Sequence, residues 1–133
     1  MTIRLAINGF GRIGRTVMRH ALGNPAVEVV AVNDRMDPKL MAFLFKHDSV
    51  HGIYHGDVTY TEDSLKVDDK EIKALRITDD LLNLPWADLK IDVVLECTGI
   101  FRDRERAGKH LTAGAKKVII SAPGKKVDGT FVI

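Results

Sequence analysis

The chain has 133 residues, of which 45% are hydrophobic and 29% charged, and its formal net charge is +2. This composition is typical of one globular domain with a single core, and the small net charge argues against nucleic-acid and anionic-membrane partners. No apolar stretch has the length of a membrane-spanning helix or the layout of a secretory signal peptide, and the one cysteine, Cys97, excludes an internal disulfide and favours a reducing, cytoplasmic location.

The first predicted elements are a buried strand, a glycine-rich turn and a helix. Residues 3–7 are mostly apolar, as in a parallel strand buried on both faces, and apolar residues at helical spacing occupy residues 12–22. Between them, Gly9, Gly11 and Gly14 have the spacing G-x-G-x-x-G. The first glycine of this motif permits a tight turn, the second lets backbone approach a pyrophosphate, and the third allows close packing of helix on strand. We therefore predict dinucleotide binding at the start of the helix, the alternative being an ordinary turn without a ligand.

A second apolar run predicts where the cofactor's ribose binds. Residues 27–32 precede Asp34, which lies about 25 residues after Gly9, close to the spacing expected of an acid that binds the adenosine ribose. A carboxylate there would repel the 2′-phosphate of NADP, so the predicted cofactor is NAD. Arg35 leaves NADP use open, because its guanidinium could bind that phosphate, although a solvated arginine is the simpler interpretation.

Asp37 and Pro38 predict the start of a second helix, as N-cap and first helical residue. The helix is expected to end near His47, with a loop from residue 46 to residue 49. Its apolar residues predict a broad buried face: Leu40, Met41, Phe43, Leu44 and Phe45.

Three histidines, His47, His51 and His55, lie four residues apart, a spacing that would align metal ligands on a helix. Gly52 and Gly56 argue against a helix in this stretch, and no acid or cysteine completes a site. We interpret the three as loop histidines with local hydrogen bonds and predict no metal.

Short apolar and polar alternations from residue 57 to residue 78 predict a small antiparallel hairpin or meander. Acidic residues occupy its turns: Glu62, Asp63, Asp68, Asp69, Asp79 and Asp80. Because their surroundings are polar, we interpret them as solvated turn residues rather than as a general acid and base.

The next predicted strand, residues 91–95, follows a turn at residues 84–86 whose tryptophan should fill the core. In an open α/β sheet, ligands bind outside the carboxyl ends of the strands. Thr98 and Gly99 are therefore predicted to line the cofactor site. Cys97 is interpreted as a small packing residue, because no histidine lies near it in the sequence.

Residues 103–112 predict a further helix, with Ala107 and Leu111 facing the core and the basic side chains facing solvent. Residues 118–120 predict the next strand, and residues 131–133 start one more. An apolar run at the last residue is typical of an interrupted strand, so we expect a truncated domain with an unpaired edge that promotes self-association.

Alternating strands and helices predict an α/β, Rossmann-type fold: a mostly parallel, doubly wound sheet with a small antiparallel insertion around residues 57–78. We expect one dinucleotide-binding domain over residues 1–133, truncated at its C-terminus. No catalytic residue is predicted within it.

Several segments resemble the N-terminal, NAD-binding part of phosphorylating glyceraldehyde-3-phosphate dehydrogenases, in the family's order and over nearly the whole chain. They are INGFGRIGR (7–15), AVND (31–34), HDSVHG (47–52), ECTGIF (96–101) and AGAKKVIISAP (113–123). Erythrose-4-phosphate dehydrogenases share much of this pattern, but the ECTGIF and ISAP stretches are more similar to the glyceraldehyde enzyme. A stand-alone nucleotide-binding module without enzyme activity, and a non-binding domain that assembles with itself, are the alternatives.

The resemblance implies cofactor contacts along one side of the site. Arg12 and Ile13 would offer backbone to the pyrophosphate, and Asp34 would bind the adenosine ribose. Asp79 occupies the place where the family usually has an arginine whose backbone contacts the adenine. A backbone contact is compatible with that change.

It also implies contacts on the other side. Thr98 and Gly99 would flank the cofactor, and Phe101 would help shape its pocket. Ser121 would lie near the nicotinamide.

The resemblance further implies a reaction. A cysteine attacks the aldehyde, hydride passes to NAD, and phosphate releases the thioester as 1,3-bisphosphoglycerate. The family's catalytic cysteine belongs to a Ser-x-x-Ser-Cys-Thr-Thr-Asn-type motif and its activating histidine follows; residues 1–133 include neither, and Cys97 does not match the motif. We therefore expect this chain to bind NAD without catalysis, and glyceraldehyde 3-phosphate, phosphate and the parent's homotetramer contacts to require a further domain.

Overall fold

The computed structural model describes residues 1–132 and contains nine strands and four α-helices within them. The strands are β1 (Ile3–Asn8), β2 (Val27–Asn33), β3 (His47–Asp48), β4 (Gly52–Ile53), β5 (Val58–Tyr60), β6 (Ser64–Val67), β7 (Lys70–Leu75), β8 (Val93–Glu96) and β9 (Lys117–Ile120). The helices are α1 (Arg12–Leu22), α2 (Pro38–Lys46), α3 (Arg104–Ala107) and α4 (Lys109–Thr112), with one 3₁₀ turn at Leu81–Asn83. No helix within the described residues is long and apolar enough to cross a membrane.

Seven strands form one sheet in the order β5-β6-β7-β2-β1-β8-β9, which confirms the predicted Rossmann-type architecture. In this order, the neighbours β7, β2, β1, β8 and β9 pair in parallel. The neighbours β5, β6 and β7 pair antiparallel. The predicted insertion at residues 57–78 therefore extends the main sheet, because β7 pairs in parallel with β2. β3 and β4 form a separate two-stranded sheet.

Alternate side chains of β1 belong to two different hydrophobic cores. Leu5 and Ile7 lie in one core with Met18 of α1, and Ala6 lies in the other with Trp86. Trp86 is fully buried, as its sequence position predicts. The chain continues from β1 to β2 on one side and later crosses to β8 on the other side of β1, and this reversal of strand order opens a crevice at the carboxyl ends of the three strands.

The turn from β1 into α1 leaves no room for side chains at two glycines. Gly9 has a φ of +99°, and a Cβ there would lie 2.8 Å from the backbone of Cys97 and Thr98. A Cβ on Gly14 would lie 2.2 Å from the carbonyl oxygen of Gly9. Gly14 thus lets α1 pack directly on the end of β1, the role that the motif predicts for its third glycine.

Helix α2 begins as predicted, but its buried face is narrower than expected. Asp37 accepts a hydrogen bond from the amide of Leu40 at 2.8 Å, and Pro38 is the first helical residue. Leu40 and Phe43 are exposed, because α2 contacts the core along only one face. That face consists of Pro38, Met41, Ala42 and Phe45. The predicted loop at residues 46–49 is wrong in part, since His47 and Asp48 pair as β3.

The predicted helix at residues 103–112 is two short helices, α3 and α4, on either side of Gly108. Ala107 is buried as expected, but Leu111 is exposed and His110 is buried in its place. Apolarity alone favours leucine in the core. The histidine replaces it because both of its ring nitrogens find hydrogen-bond partners there, which offsets the cost of burial.

The expected strand at the end of the chain is also wrong within the described residues. Phe131 and Val132 are exposed and lie outside any strand, because no neighbouring strand pairs with them; Ile133 lies outside the described residues. The open edge on this side of the sheet is β9, where Ile119 is exposed.

Gly14→Ala is expected to lower the free energy of unfolding by about 2 kcal/mol, because its Cβ would force α1 away from β1. Gly11→Ala is the matched control: its Cβ would meet no described atom within 4 Å, and we expect a change of less than about 1 kcal/mol. Urea unfolding monitored by the fluorescence of Trp86, the only tryptophan, measures both changes. Equal stabilities of the two variants would contradict the steric argument.

Candidate functional site

The crevice at the carboxyl ends of β1, β2 and β8 has a volume of about 310 Å³, at the lower end of the range for ligand sites. Its lining comes from the strand ends, the segment from residue 77 to residue 81 and the turn after β8. The residues predicted to bind a cofactor that line it are Gly9, Gly11, Asp34, Asp79, Thr98 and Phe101.

The other predicted residues lie outside the lining. Arg12 and Ile13 are exposed in the first turn of α1, and Gly14 is buried beneath that turn. Gly99, with a φ of +75°, follows the lining residue Thr98. Ser121 follows β9, one strand further along the sheet, where its amide donates to the carbonyl oxygen of Glu96 at 3.0 Å.

The start of α1 faces the crevice without a cap. Gly11 is the N-cap residue, and no side chain among the described residues accepts a hydrogen bond from the first turn of the helix there. The first amides of an α-helix have no partner within the helix, and together with the helix dipole they favour an anion. A Cβ on Gly11 would meet no described atom within 4 Å, so the backbone is open to close approach.

Asp34 lies at the end of β2 with its carboxylate held by backbone amides. Oδ2 accepts from the amide of Phe10 at 2.6 Å, and Oδ1 accepts from the amides of Arg35 and Met36 at 2.6 and 3.2 Å. The side chain is thereby fixed beside the glycine turn. A carboxylate has about four acceptor positions, so Asp34 retains capacity for a ligand hydroxyl.

Two buried asparagines at the ends of β1 and β2 connect the strands below the crevice. Asn33 accepts from the amide of Ile77 at 2.9 Å and donates to the Ile77 carbonyl oxygen at 2.9 Å. Its Nδ2 also donates to Oδ1 of Asn8 at 2.8 Å. Nδ2 of Asn8 in turn donates to Oε1 of Glu96 at 2.6 Å. The three strand ends are thus joined by side-chain hydrogen bonds.

Glu96 is 1% exposed and accepts further hydrogen bonds. Thr98 donates to Oε2 through its amide at 3.0 Å and its hydroxyl at 2.6 Å. Nε2 of the fully buried His110 lies 2.9 Å from Oε1, and the indole of Trp86 donates to Nδ1 of His110 at 3.0 Å. Burial alone would raise the pKa of Glu96, but the hydrogen bonds from His110, Thr98 and Asn8 outweigh it and lower the pKa.

Asn8, Asn33, Glu96 and His110 were not predicted as part of the site. One signal in the sequence points to three of them: each of three buried strands ends in a polar residue, where an apolar run would otherwise continue. His110 carries no such signal, because its role depends on Glu96 and Trp86, which are distant in the sequence.

Cys97 lines the crevice but has the properties of a packing residue, as predicted. It packs against the core that contains Ile7. Burial raises the pKa of its thiol, a hydrogen bond with Ser121 lowers the pKa, and the charge of Glu96 raises it, with a net increase. Packing in the core and a raised thiol pKa are both typical of a structural cysteine.

The stretch that contains the three spaced histidines, residues 47–55, forms β3, β4 and a turn rather than a helix. Among residues 1–132, the structure brings together no three histidine, cysteine or acidic side chains that could hold a metal ion.

Comparisons with known proteins agree on one family. The family described as "Glyceraldehyde 3-phosphate dehydrogenase, NAD binding domain" matches residues 3–104. The glyceraldehyde-3-phosphate dehydrogenase of Thermotoga maritima is 58% identical over 132 residues, which are 98% of this chain and 39% of the relative. That of Geobacillus stearothermophilus is 52% identical over 133 residues, 100% of this chain and 39% of the relative. The chain therefore spans about two fifths of the length of these curated relatives.

The pH dependence of stability should report on Glu96. Because folding lowers the pKa of Glu96 below its ordinary value of 4.5, its contribution to stability is present above about pH 4.5 and is lost as the pH falls through the folded pKa. The wild-type chain should therefore lose stability on acidification more steeply than Glu96→Gln, which has no carboxylate to protonate. Urea unfolding of both at several pH values between about pH 3 and pH 7 measures this difference. Parallel profiles would contradict it.

Proposed function

The chain belongs to the glyceraldehyde 3-phosphate dehydrogenase family, and on that premise we propose that its crevice holds NAD, the cofactor of the matched domain. We propose that the whole of residues 1–133 serves as a dinucleotide-binding domain. The assignment of individual residues to parts of the cofactor is part of the same proposal.

The observation that carries this proposal is the open space at Gly11 beside the uncapped start of α1. A pyrophosphate in that space would accept hydrogen bonds from the backbone of Arg12 and Ile13. The close packing at Gly14 supports this role, because it brings the helix start to the edge of the crevice.

The adenosine ribose would bind Asp34. Its fixed carboxylate has acceptor capacity for the ribose hydroxyls, and the same charge would repel a 2′-phosphate, which favours NAD over NADP. Arg35 is exposed and adjacent, and Arg76 donates to its carbonyl oxygen at 3.3 Å. Arg35 could therefore bind the 2′-phosphate of NADP, so the affinities for NAD and NADP have to be compared.

The remaining contacts divide between the two ends of the crevice. Asp79 would offer backbone at the adenine end. Thr98, Gly99 and Phe101 would flank the cofactor on the side of β8, and Ser121 would lie near the nicotinamide. Thr98 and Phe101 line the crevice directly, which supports their inclusion.

We further propose that the chain is the cofactor-binding part of a glycolytic dehydrogenase. In that reaction a cysteine thiol would add to the aldehyde carbon, and phosphate would displace the thiol as the acyl phosphate forms. The NAD held by this domain would supply the hydride acceptor. Residues 1–133 contain no Ser-Cys-Thr-Thr-Asn sequence, so the thiol, the sites for glyceraldehyde 3-phosphate and phosphate, and the homotetramer contacts would come from residues outside them. The two relatives described above act, by name, on glyceraldehyde 3-phosphate, which favours it over erythrose 4-phosphate.

The direct test is a calorimetric titration of this chain with NAD and then with NADP. Binding of NAD alone supports the proposed cofactor and the role of Asp34. Comparable binding of both would shift the ribose contact to Arg35. Binding of neither would contradict the proposal.

Asp34→Ala is expected to weaken NAD binding by about 1–3 kcal/mol, because the ribose would lose hydrogen bonds to a charged acceptor. The matched control is Asp69→Ala in the exposed turn between β6 and β7, which should leave the affinity unchanged. Calorimetry measures both affinities. An Asp34→Ala variant that binds as tightly as the wild-type chain would place the ribose elsewhere.

Gly11→Ala is expected to weaken NAD binding about tenfold, because its Cβ would occupy the space assigned to the pyrophosphate. The same variant should keep its stability, so the loss would reflect the site rather than the fold. Unchanged affinity would show that the pyrophosphate does not approach this residue.

A further inference from the structure

We propose that Glu96 and His110 are positioning residues of the crevice: a buried carboxylate and a neutral imidazole that hold together the two turns on either side of the cofactor. This inference rests on the proposed function. Neither residue lines the crevice, so both would act through Asn8 and Thr98, which do.

The direction of the hydrogen bonds is fixed at one end by the backbone. The amide of Ile77 can only donate, so the atom of Asn33 that faces it is the oxygen, and the Asn33 nitrogen faces Asn8. The oxygen of Asn8 must accept that bond, which turns the nitrogen of Asn8 toward Glu96. Neither asparagine can flip without placing two donors against each other.

At the His110 end of the network, Trp86 fixes the direction of the hydrogen bonds. An indole N–H can only donate, so Nδ1 of His110 must carry a lone pair to accept it. The ring proton is then on Nε2, which points at Oε1 of Glu96 at 2.9 Å. His110 is therefore a neutral imidazole that donates to the carboxylate.

Four donors thus converge on Glu96: one from Asn8, one from His110 and two from Thr98. An ionised carboxylate accepts at all of these positions and has no proton of its own to place. A protonated or amidated side chain would put a donor against a donor, and the fixed tautomer of His110 prevents that residue from adapting. The arrangement therefore requires the charge on Glu96.

The network holds both sides of the crevice. Asn8 directly precedes the glycine turn, and Thr98 belongs to the turn after β8, where its hydroxyl also accepts from the amide of Ile100 at 3.1 Å. The two turns touch, since the position of a Cβ on Gly9 lies 2.8 Å from the amide nitrogen of Thr98. Loss of the charge on Glu96 would release Thr98 and Asn8 together.

The first test compares NAD affinity in Glu96→Gln, in the wild-type chain and in Glu62→Gln, which removes an exposed carboxylate from a distant turn. Glu96→Gln should weaken NAD binding about tenfold, and Glu62→Gln should leave it unchanged. A folded Glu96→Gln variant that binds within about twofold of the wild-type chain would overturn the positioning role while leaving the proposed function intact. Absence of NAD binding by the wild-type chain would instead overturn the proposed function, and the positioning role with it.

A second pair of variants applies if Glu96→Gln does not fold. Thr98→Val removes the hydroxyl that donates to Glu96, whereas Thr98→Ser keeps it. The valine variant should bind NAD more weakly, by roughly threefold to tenfold, and the serine variant should restore most of that loss. Equal affinities of the wild-type chain and the valine variant would overturn the inference.

Nitrogen NMR of the His110 ring tests the hydrogen-bond direction without a ligand. In the folded wild-type chain we expect a proton on Nε2 and none on Nδ1, together with a hydrogen-bonded indole N–H of Trp86. A proton on Nδ1 alone, or on both nitrogens, would overturn the assigned network. Because this measurement involves no NAD, it tests the hydrogen-bond network independently of whether the chain binds NAD.

Discussion

The contact between α1 and β1 is the steric constraint on which the crevice depends. A Cβ on Gly14 would lie 2.2 Å from the carbonyl oxygen of Gly9, so helix and strand approach as closely as backbone allows. Gly9, on its other side, lies against the backbone after β8. The turn is therefore in contact with two elements at once, and a side chain at either glycine would separate layers that form the two sides of the crevice. Between these two tightly packed glycines, Gly11 has open space at the position of a Cβ.

Hydrogen bonding imposes a second constraint, because β1, β2 and β8 all end in buried polar side chains. Removing an amide or a carboxylate from water is unfavourable unless its partners are replaced. Here each of these side chains has hydrogen-bond partners within the protein. Asn33 bonds to Ile77 and Asn8. Asn8 also bonds to Glu96, which accepts further bonds from His110 and Thr98. A network of this kind is stable only when it is complete, so it favours one arrangement of the strand ends over nearby alternatives.

The sequence predicted what depends on local patterns and missed what depends on distant partners. The parallel strands, the glycine turn and the cap at Asp37 follow from apolar runs and short motifs, and all three are present. Leu111 was expected in the core because it is apolar, yet His110 is buried there, since its partners come from β8 and from the turn at residues 84–86. The site follows the same rule. Sequence spacing placed Asp34 and Thr98 at the crevice, but the network beneath them depends on pairings that only the folded sheet creates.

The two carboxylates at the strand ends have different roles because their donors differ in number and position. Glu96 is buried and accepts from four donors, so its acceptor positions are used within the protein and none remains for a ligand. Asp34 accepts from three backbone amides and lines the crevice, so it is fixed in place and still has an acceptor position to offer. A saturated carboxylate can shape a site but cannot bind in it, whereas a partly saturated one can do both. The division between residues that position and residues that bind thus follows from the count of hydrogen bonds at each oxygen.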